Sequence, residues 1–226
     1  MQTYPLRSVL KKFFRLVFRV LTRLQVEGME NIPPSGGYLL AANHLSVVDA
    51  PLVFALLERD DITGLVAKKH LKNPLFRSLV NAVCGIWLNR EEADTSALRA
   101  AVAHLQGGGM LGISPEGTRS RETQAMIAAK NGVTYLADKA NVPIIPVAVW
   151  GTESTFTDLF KFRRPRLSMR VGKPFSLSPI TRASRDAALR SNTEEIMCRI
   201  ASLLPAQYHG VYADHPRLLQ LLAEIG

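Results

Sequence analysis

The first periodic pattern in the chain is helical. In LRSVLKKFFRLVFRVLTRL, Leu10, Phe13, Phe14, Val17, Leu21 and Leu24 recur at steps of three and four residues, the spacing of one helix face. Arg7, Lys11, Arg15, Arg19 and Arg23 recur every fourth residue, so the cations drift around the same helix as a loose stripe. The expectation is an amphipathic helix with an apolar seam flanked by charge. Beyond it the pattern changes. After the PPSGG turn, YLLAANH (38–44) is a short apolar run of the kind that predicts a buried strand. DAPLVFALLE (49–58) predicts a helix, with Asp49 as its N-cap and Pro51 in the first turn. ITGLVAK (62–68), GIWLNR (85–90) and MLGIS (110–114) predict further strands, and TSALRAAVAHLQ (95–106) predicts a helix stopped by Gly107, Gly108 and Gly109. A helix over about 124–140 leads into VPIIPVAVW (142–150), a buried strand whose two prolines point to a sheet edge or a bend. RLSMRVGKPF alternates as a half-exposed strand does, and PRLLQLLAEI near the C-terminus has helical character.

Strands separated by helices predict an α/β fold, a sheet with helices layered on it. In such sheets the loops at the carboxyl ends of the strands carry the sites. The chain has 226 residues and 47% hydrophobic content, enough for one sizeable α/β domain and too apolar for a disordered chain.

Charge sharpens this picture. The formal net charge is +9, and residues 1–24 hold six cations and no acid, leaving +3 on the rest. A basic excess calls for anionic partners, and its concentration in one amphipathic helix points to an anionic membrane surface. Cations this frequent exclude a simple bilayer span, which needs about 20 mostly apolar residues. The body lacks the basic stripe with interleaved aromatics expected for nucleic acid, so none is expected as a partner. Residues 1–25 are accordingly expected to form a membrane-interface helix and 26–226 the main domain. No secretory leader is expected, and the protein is placed on the cytoplasmic face of the cell membrane as a peripheral or monotopic protein. Cys84 and Cys198 suggest neither a disulfide framework nor a zinc site, and Cys84, in an apolar run, is expected to be buried.

Candidate chemistry follows two strands. In NHLSVVD, His44 and Asp49 are five residues apart; on one continuous helix they would point about 140° apart. With His44 closing a strand and Asp49 opening a helix, the turn can fold one onto the other. The carboxylate would then fix the imidazole tautomer and leave the second nitrogen as a base. No Gly-x-Ser-x-Gly elbow surrounds Ser46 or any other serine, which favours direct attack by a substrate hydroxyl over a covalent intermediate. In PEGTRS (115–120), Gly117 permits a tight turn, Thr118 offers a hydroxyl and Arg119 a planar fork suited to phosphate. Glu116 would orient a substrate hydroxyl or anchor the arginine. Lys68 and Arg90, each closing a strand, are surface cations or further substrate contacts. The glycine run 107–109 is no phosphate loop, since no Gly-Lys-Ser/Thr follows. His70, His104, His209 and His215 show no ligand spacing.

NHLSVVD, GIWLNR, PEGTRS and VPIIPV, in that order, resemble the glycerolipid acyltransferases of the 1-acylglycerol-3-phosphate acyltransferase type. The resemblance spans roughly 26–150 and includes VEGMENIPPSGG and AKNG. It implies a twisted, mixed and largely parallel sheet flanked by helices, with an amphipathic N-terminal element on the membrane. It implies His44 as general base with Asp49 as its partner, and Arg90 with Glu116 to Arg119 at the phosphate end of the acceptor. The substrates implied are a lysophospholipid acceptor and an acyl thioester donor, acyl-CoA or acyl-carrier protein, with no metal or bound cofactor. Glycerol 3-phosphate or a lysophospholipid with a larger head group are alternative acceptors, and a non-catalytic basic membrane-binding module is the alternative from another class. Ser114, where the family usually has an aromatic, and Trp87-Leu88-Asn89, where Phe-Ile-Asp is more usual, bear on selectivity.

Overall fold

A computed structural model of the protein describes residues 5–89, 94–120, 122–181 and 184–225. Its strands are β1 (Arg23–Glu27), β2 (Tyr38–Ala42), β3 (Ile62–Ala67), β4 (Ile86–Leu88), β5 (Met110–Ile113), β6 (Ile144–Trp150) and β7 (Arg166–Val171). They form one sheet in the order β1-β7-β6-β2-β5-β3-β4. Every neighbouring pair is parallel except β6 with β7. This is the expected mixed, mostly parallel α/β sheet. On one face lie α1 (Pro5–Leu21) and α2 (Asp49–Leu56), closing a core of Phe18, Leu40, Leu52, Ile145, Val147 and Leu167. On the other, α4 (Thr95–Gln106), α5 (Gly132–Ala140), α7 (Arg185–Ala201) and α8 (Pro216–Ile225) close a core of Leu39, Leu105, Leu111, Leu136, Ile144 and Ile196. Helices on both faces explain why β2 and β6 read as unbroken apolar runs instead of alternating.

Several expectations are corrected. The prolines of β6 do not place it at an edge: it lies between β7 and β2, and all but Trp150 of its residues are buried. Pro146 lacks an N–H, but the β7 side is interrupted at that point. Ile144 forms an isolated bridge to Phe175, the regular ladder begins at Val147, and between them Gly172 donates to the Pro146 carbonyl at 2.8 Å. The break also ends β7 at Val171, short of the full RLSMRVGKPF run. The helix expected over 124–140 begins only at Gly132, because the preceding backbone is bonded elsewhere. Met126 N–H donates to Tyr208 O at 2.9 Å, Val211 N–H to Met126 O at 3.1 Å and Lys130 N–H to Pro115 O at 2.9 Å. Cys84 is exposed: it follows α3 (Pro74–Ala82) in a left-handed conformation (φ 57°) that turns the chain into β4.

Helix α1 is turned opposite to a soluble amphipathic helix. Arg7 and Lys11 are buried against the Phe54 ring of α2, at 5.6 and 5.5 Å from its centroid. Lys11 Nζ donates to Arg59 O at 2.7 Å and Asp60 Oδ1 at 3.0 Å, and Arg15 Nε to Ala55 O at 3.0 Å. Leu6, Val9, Phe13, Leu16 and Val20, at steps of three and four, are instead exposed. The seam read from sequence is thus split: Phe14 packs inward, Phe13 and Leu21 face out, and Leu24 belongs to β1.

Candidate active site

Three adjacent strands, β6, β2 and β5, deliver the site from their carboxyl ends. His44 follows β2, the PEGTRS loop follows β5, and Thr152 follows β6. Adjacency in the sheet therefore joins residues more than seventy positions apart. Asn43 begins the frame: its buried side chain donates to Val149 O and accepts from Val149 N–H, both at 2.8 Å, extending the β2–β6 ladder past the last strand residue.

His44 Nδ1 lies 2.8 Å from Asp49 Oδ2. The same oxygen accepts the N–H groups of Leu45 and Ser46, each at 2.8 Å, and Oδ1 accepts the Thr152 hydroxyl. Asp49 is the first residue of α2 and not its N-cap; Val48 holds that position. The carboxylate turns back into the loop because three donors and the imidazole converge on it there. With Asp49 4% exposed and Thr152 fully buried, the carboxylate is fixed, and as an acceptor it assigns the proton of His44 to Nδ1. Nε2 is left with its lone pair, on a side chain 27% exposed and so open to a substrate. Gly151 allows the turn that delivers Thr152: its φ is 80°, and a Cβ there would strike the Arg166 carbonyl oxygen.

The PEGTRS loop grips His44 through its backbone on both sides. Glu116 Oε1 accepts His44 N–H at 2.9 Å, and Ser120 N–H donates to His44 O at 3.0 Å. Glu116 Oε2 accepts Ile127 N–H at 3.3 Å, so this 1% exposed carboxyl clamps two loops together and presents no oxygen to solvent. Burial pushes Glu116 up to about 7, against the two N–H donors that favour its ionised form, and the charge of Asp49 adds to the rise. A carboxyl whose folded value lies above its ordinary 4.5 stabilises the fold fully below that value, and the contribution is lost as pH rises to about 7. The full effect is at most roughly 3 kcal/mol. Thermal melts of Glu116→Gln are therefore expected to decline less steeply over that window than those of the wild type. Parallel declines would contradict the shift.

Gly117 makes the turn with φ 68°, and Thr118 is exposed. Arg119 lines a cavity of about 200 Å³ together with Ser46, Val47, Gln124, Glu153 and Phe156. The loop that carries His44 and the loop that carries Arg119 thus wall one cavity. Glu153, beside it, accepts the Tyr208 hydroxyl at 2.7 Å. A larger cavity of about 380 Å³ lies among Phe175, Asn192, Arg199 and Arg217, at the other end of the sheet, where Phe175 meets the first residue of β6. It holds none of the motif residues. Lys68 is drawn to Asp94, 2.8 Å away, which caps α4 through Ala97 N–H; it is not among the residues lining the smaller cavity. Arg90 lies outside the described residues. Asn43 and Thr152 escaped the sequence reading, though Thr152 stands two residues after VPIIPVAVW, where a strand-end residue could have been suspected.

A profile of the acyltransferase family matches residues 23–150, from the first residue of β1 to the last of β6. Over 180 residues the chain is 24% identical to the 1-acyl-sn-glycerol-3-phosphate acyltransferase of Bacillus subtilis (strain 168), an alignment covering 80% of this chain and 87% of that protein. A protein of the same name from Borreliella burgdorferi is 31% identical over 137 residues, 59% of this chain and 54% of its own length. The crystal structure of the 1-acyl-sn-glycerophosphate (LPA) acyltransferase PlsC from Thermotoga maritima aligns with a TM-score of 0.64 and 26% identity, covering 85% of this chain and 77% of that one. With the matched span enclosing the His44–Asp49 pair and the loop that grips it, the chain belongs to the acyltransferase family, and it is an enzyme that transfers acyl groups to oxygen.

Proposed function

We propose that the protein transfers a fatty acyl group from acyl-CoA or acyl-carrier protein to the sn-2 hydroxyl of 1-acylglycerol 3-phosphate, giving phosphatidic acid. One observation carries this reading: the loop bearing Arg119 is hydrogen-bonded to both the N–H and the C=O of His44, and it walls a cavity with the residues that follow His44. The loop that carries Arg119 is thereby tied to the main chain of His44, which supports a base and a phosphate-binding fork acting at one site. The relatives named above supply the substrate class.

In this mechanism His44 Nε2 takes the proton of the acceptor hydroxyl as its oxygen attacks the thioester carbonyl carbon. Asp49 stabilises the imidazolium so formed. The tetrahedral intermediate collapses with cleavage of the C–S bond, and the departing sulfur takes the proton from His44 to leave as a thiol. General-base assistance contributes about 10²- to 10⁴-fold, and holding the acceptor phosphate at Arg119 converts an encounter into an intramolecular arrangement. Gly117 and Thr118 shape that end of the site, and Glu116 acts through the backbone of His44. Lys68 and Arg90 remain proposed outer contacts for the acceptor or donor.

Helix α1 supports a membrane setting. Its buried cations fasten it to α2, and its outward stripe of Leu6, Val9, Phe13, Leu16 and Val20 is exposed. Such a face suits the headgroup region of an anionic bilayer, where a lysolipid resides. Among the described residues no helix is long and apolar enough to cross a membrane. Peripheral association, with the site on the cytoplasmic face, accords with these features.

Arg119→Ala tests the acceptor assignment. The KM for the phosphate-bearing acceptor is expected to rise about 10- to 100-fold with kcat nearly unchanged, as loss of a charged, forked contact made in the ground state predicts. The KM for the acyl donor is expected to stay put. A rise in the donor KM alone would move the arginine to the other substrate.

A further inference from the structure

One apolar feature lies apart from both the dyad and α1. Helix α6 (Thr155–Phe160) runs into the loop KFRRP, and there Phe160 and Phe162 are 84% and 101% exposed. Phe156, one turn earlier and on the same helix face as Phe160, lines the cavity that holds Arg119. All three rings are exposed and follow one another along the chain from the cavity into the loop, as an aromatic ridge. The backbone at its tip is unusual. Phe162 N–H donates to Leu159 O at 3.0 Å and Arg163 N–H to Asp158 O at 2.9 Å, the paired bonds of a Schellman helix stop. That stop places its central residue in left-handed conformation, usually a glycine; here it is Phe162, at φ 53°. A bulky residue in that region is a genuine outlier, and such residues cluster at functional sites. The chain keeps a phenyl ring in water where glycine would relieve the strain.

Charge identifies what the ridge faces. Lys161, Arg163, Arg164 and Arg166 are exposed, and no acid occurs from Leu159 to Arg170. Arg164 donates to Arg19 O at 2.8 Å and Thr22 O at 2.6 Å, at the last turn of α1. The ridge is thus fastened beside the end of the outward stripe of α1, where Arg19 and Arg23 are also exposed. Rings set among exposed cations complement an anionic lipid surface; Asp158 is the one acid of residues 156–166, and it accepts the Ser154 hydroxyl at 2.8 Å. A second copy of the same face would bring like charges together.

We propose that residues 156–166 form a second membrane-inserting hook, in which Phe160 and Phe162 enter the headgroup–acyl boundary of an anionic bilayer and hold the cavity mouth beside Phe156 at the lipid surface. This rests on the membrane-surface reading given under the proposed function and adds a second point of attachment, so that the protein is oriented as well as bound.

The test is co-sedimentation of the full chain with vesicles of phosphatidylglycerol and phosphatidylcholine, comparing wild type, a Phe160→Asp/Phe162→Asp double variant and a Leu16→Asp variant of α1. The double variant is expected to lose about tenfold or more in vesicle partitioning, since each ring contributes interfacial burial. It should keep the wild-type melting temperature and wild-type turnover on a short-chain, water-soluble acceptor. Unchanged partitioning of the double variant while Leu16→Asp is released would overturn the hook and leave α1 as the attachment. Unchanged partitioning of both variants would overturn the hook and the membrane reading together. A wild-type dimer in light scattering that the double variant converts to monomer would assign the ridge to a second copy and likewise overturn the proposal.

Discussion

Replacing His44 by Ala is expected to lower turnover about 10³-fold or more while the protein stays folded. The magnitude is that of a lost general base. Folding survives because of how Asp49 is held. Removing a hydrogen-bond partner of a buried carboxylate ordinarily leaves its charge less compensated and is destabilising. Here the carboxylate keeps the Leu45 and Ser46 N–H groups and the Thr152 hydroxyl after the imidazole is gone. The backbone of His44 likewise keeps Glu116 and Ser120, because both bonds are made to main-chain atoms. A circular dichroism melt beside the rate measurement separates chemistry from folding. Turnover within about tenfold of wild type in a folded His44→Ala protein would remove the base from the mechanism.

Asp49→Asn is expected to cost about 10²- to 10³-fold in kcat with little change in either KM. The two backbone N–H groups at the Oδ2 position demand an acceptor there, so the asparagine oxygen takes that place and its amide nitrogen faces the Thr152 hydroxyl, which can accept. The hydrogen bond from His44 Nδ1 and its tautomer are then preserved. What disappears is the negative charge beside the imidazolium of the transition state, an attraction of about 4 kcal/mol at contact distance in a partly screened site. Asp49→Ala is a different change. It orphans the Leu45 and Ser46 N–H groups and is expected to lower stability as well as rate. If Asp49→Asn retained full kcat, the carboxylate would be only a structural tie for the loop.

The parts of this site that could be read from sequence are those written in contiguous short stretches. His44 to Asp49 and Glu116 to Arg119 each sit on one loop, and strand and helix signals placed those loops at strand ends. The parts that could not be read depend on which strands become neighbours. Thr152 reaches Asp49, and Asn43 reaches Val149, only because β2 and β6 pair in the sheet, and no local pattern encodes that pairing. Glu116 is expected from sequence to face substrate or arginine; its carboxyl is taken up by two main-chain N–H groups, one of them at Ile127, in the part of the expected 124–140 helix that is not helical. Helix α1 shows the limit of periodicity most plainly. The three- and four-residue steps of apolar and basic positions specify a helix, but rhythm alone does not say which face packs inward, and the buried Arg7 and Lys11 reverse the ordinary assumption. Helix α7 was missed for a related reason, since its apolar residues crowd into its second half behind the polar stretch RDAALRSNTEE.

The most direct test of the account follows thiol release and phosphatidic acid formation together, in one reaction of purified protein with acyl-CoA and 1-acylglycerol 3-phosphate, for wild type and His44→Ala. The account predicts that wild type yields one phosphatidic acid for each thiol, with no thiol released when the acceptor is omitted, and that both products vanish in the variant. Thiol release without phosphatidic acid, or a burst of thiol before the acceptor is added, would contradict direct transfer to the acceptor hydroxyl.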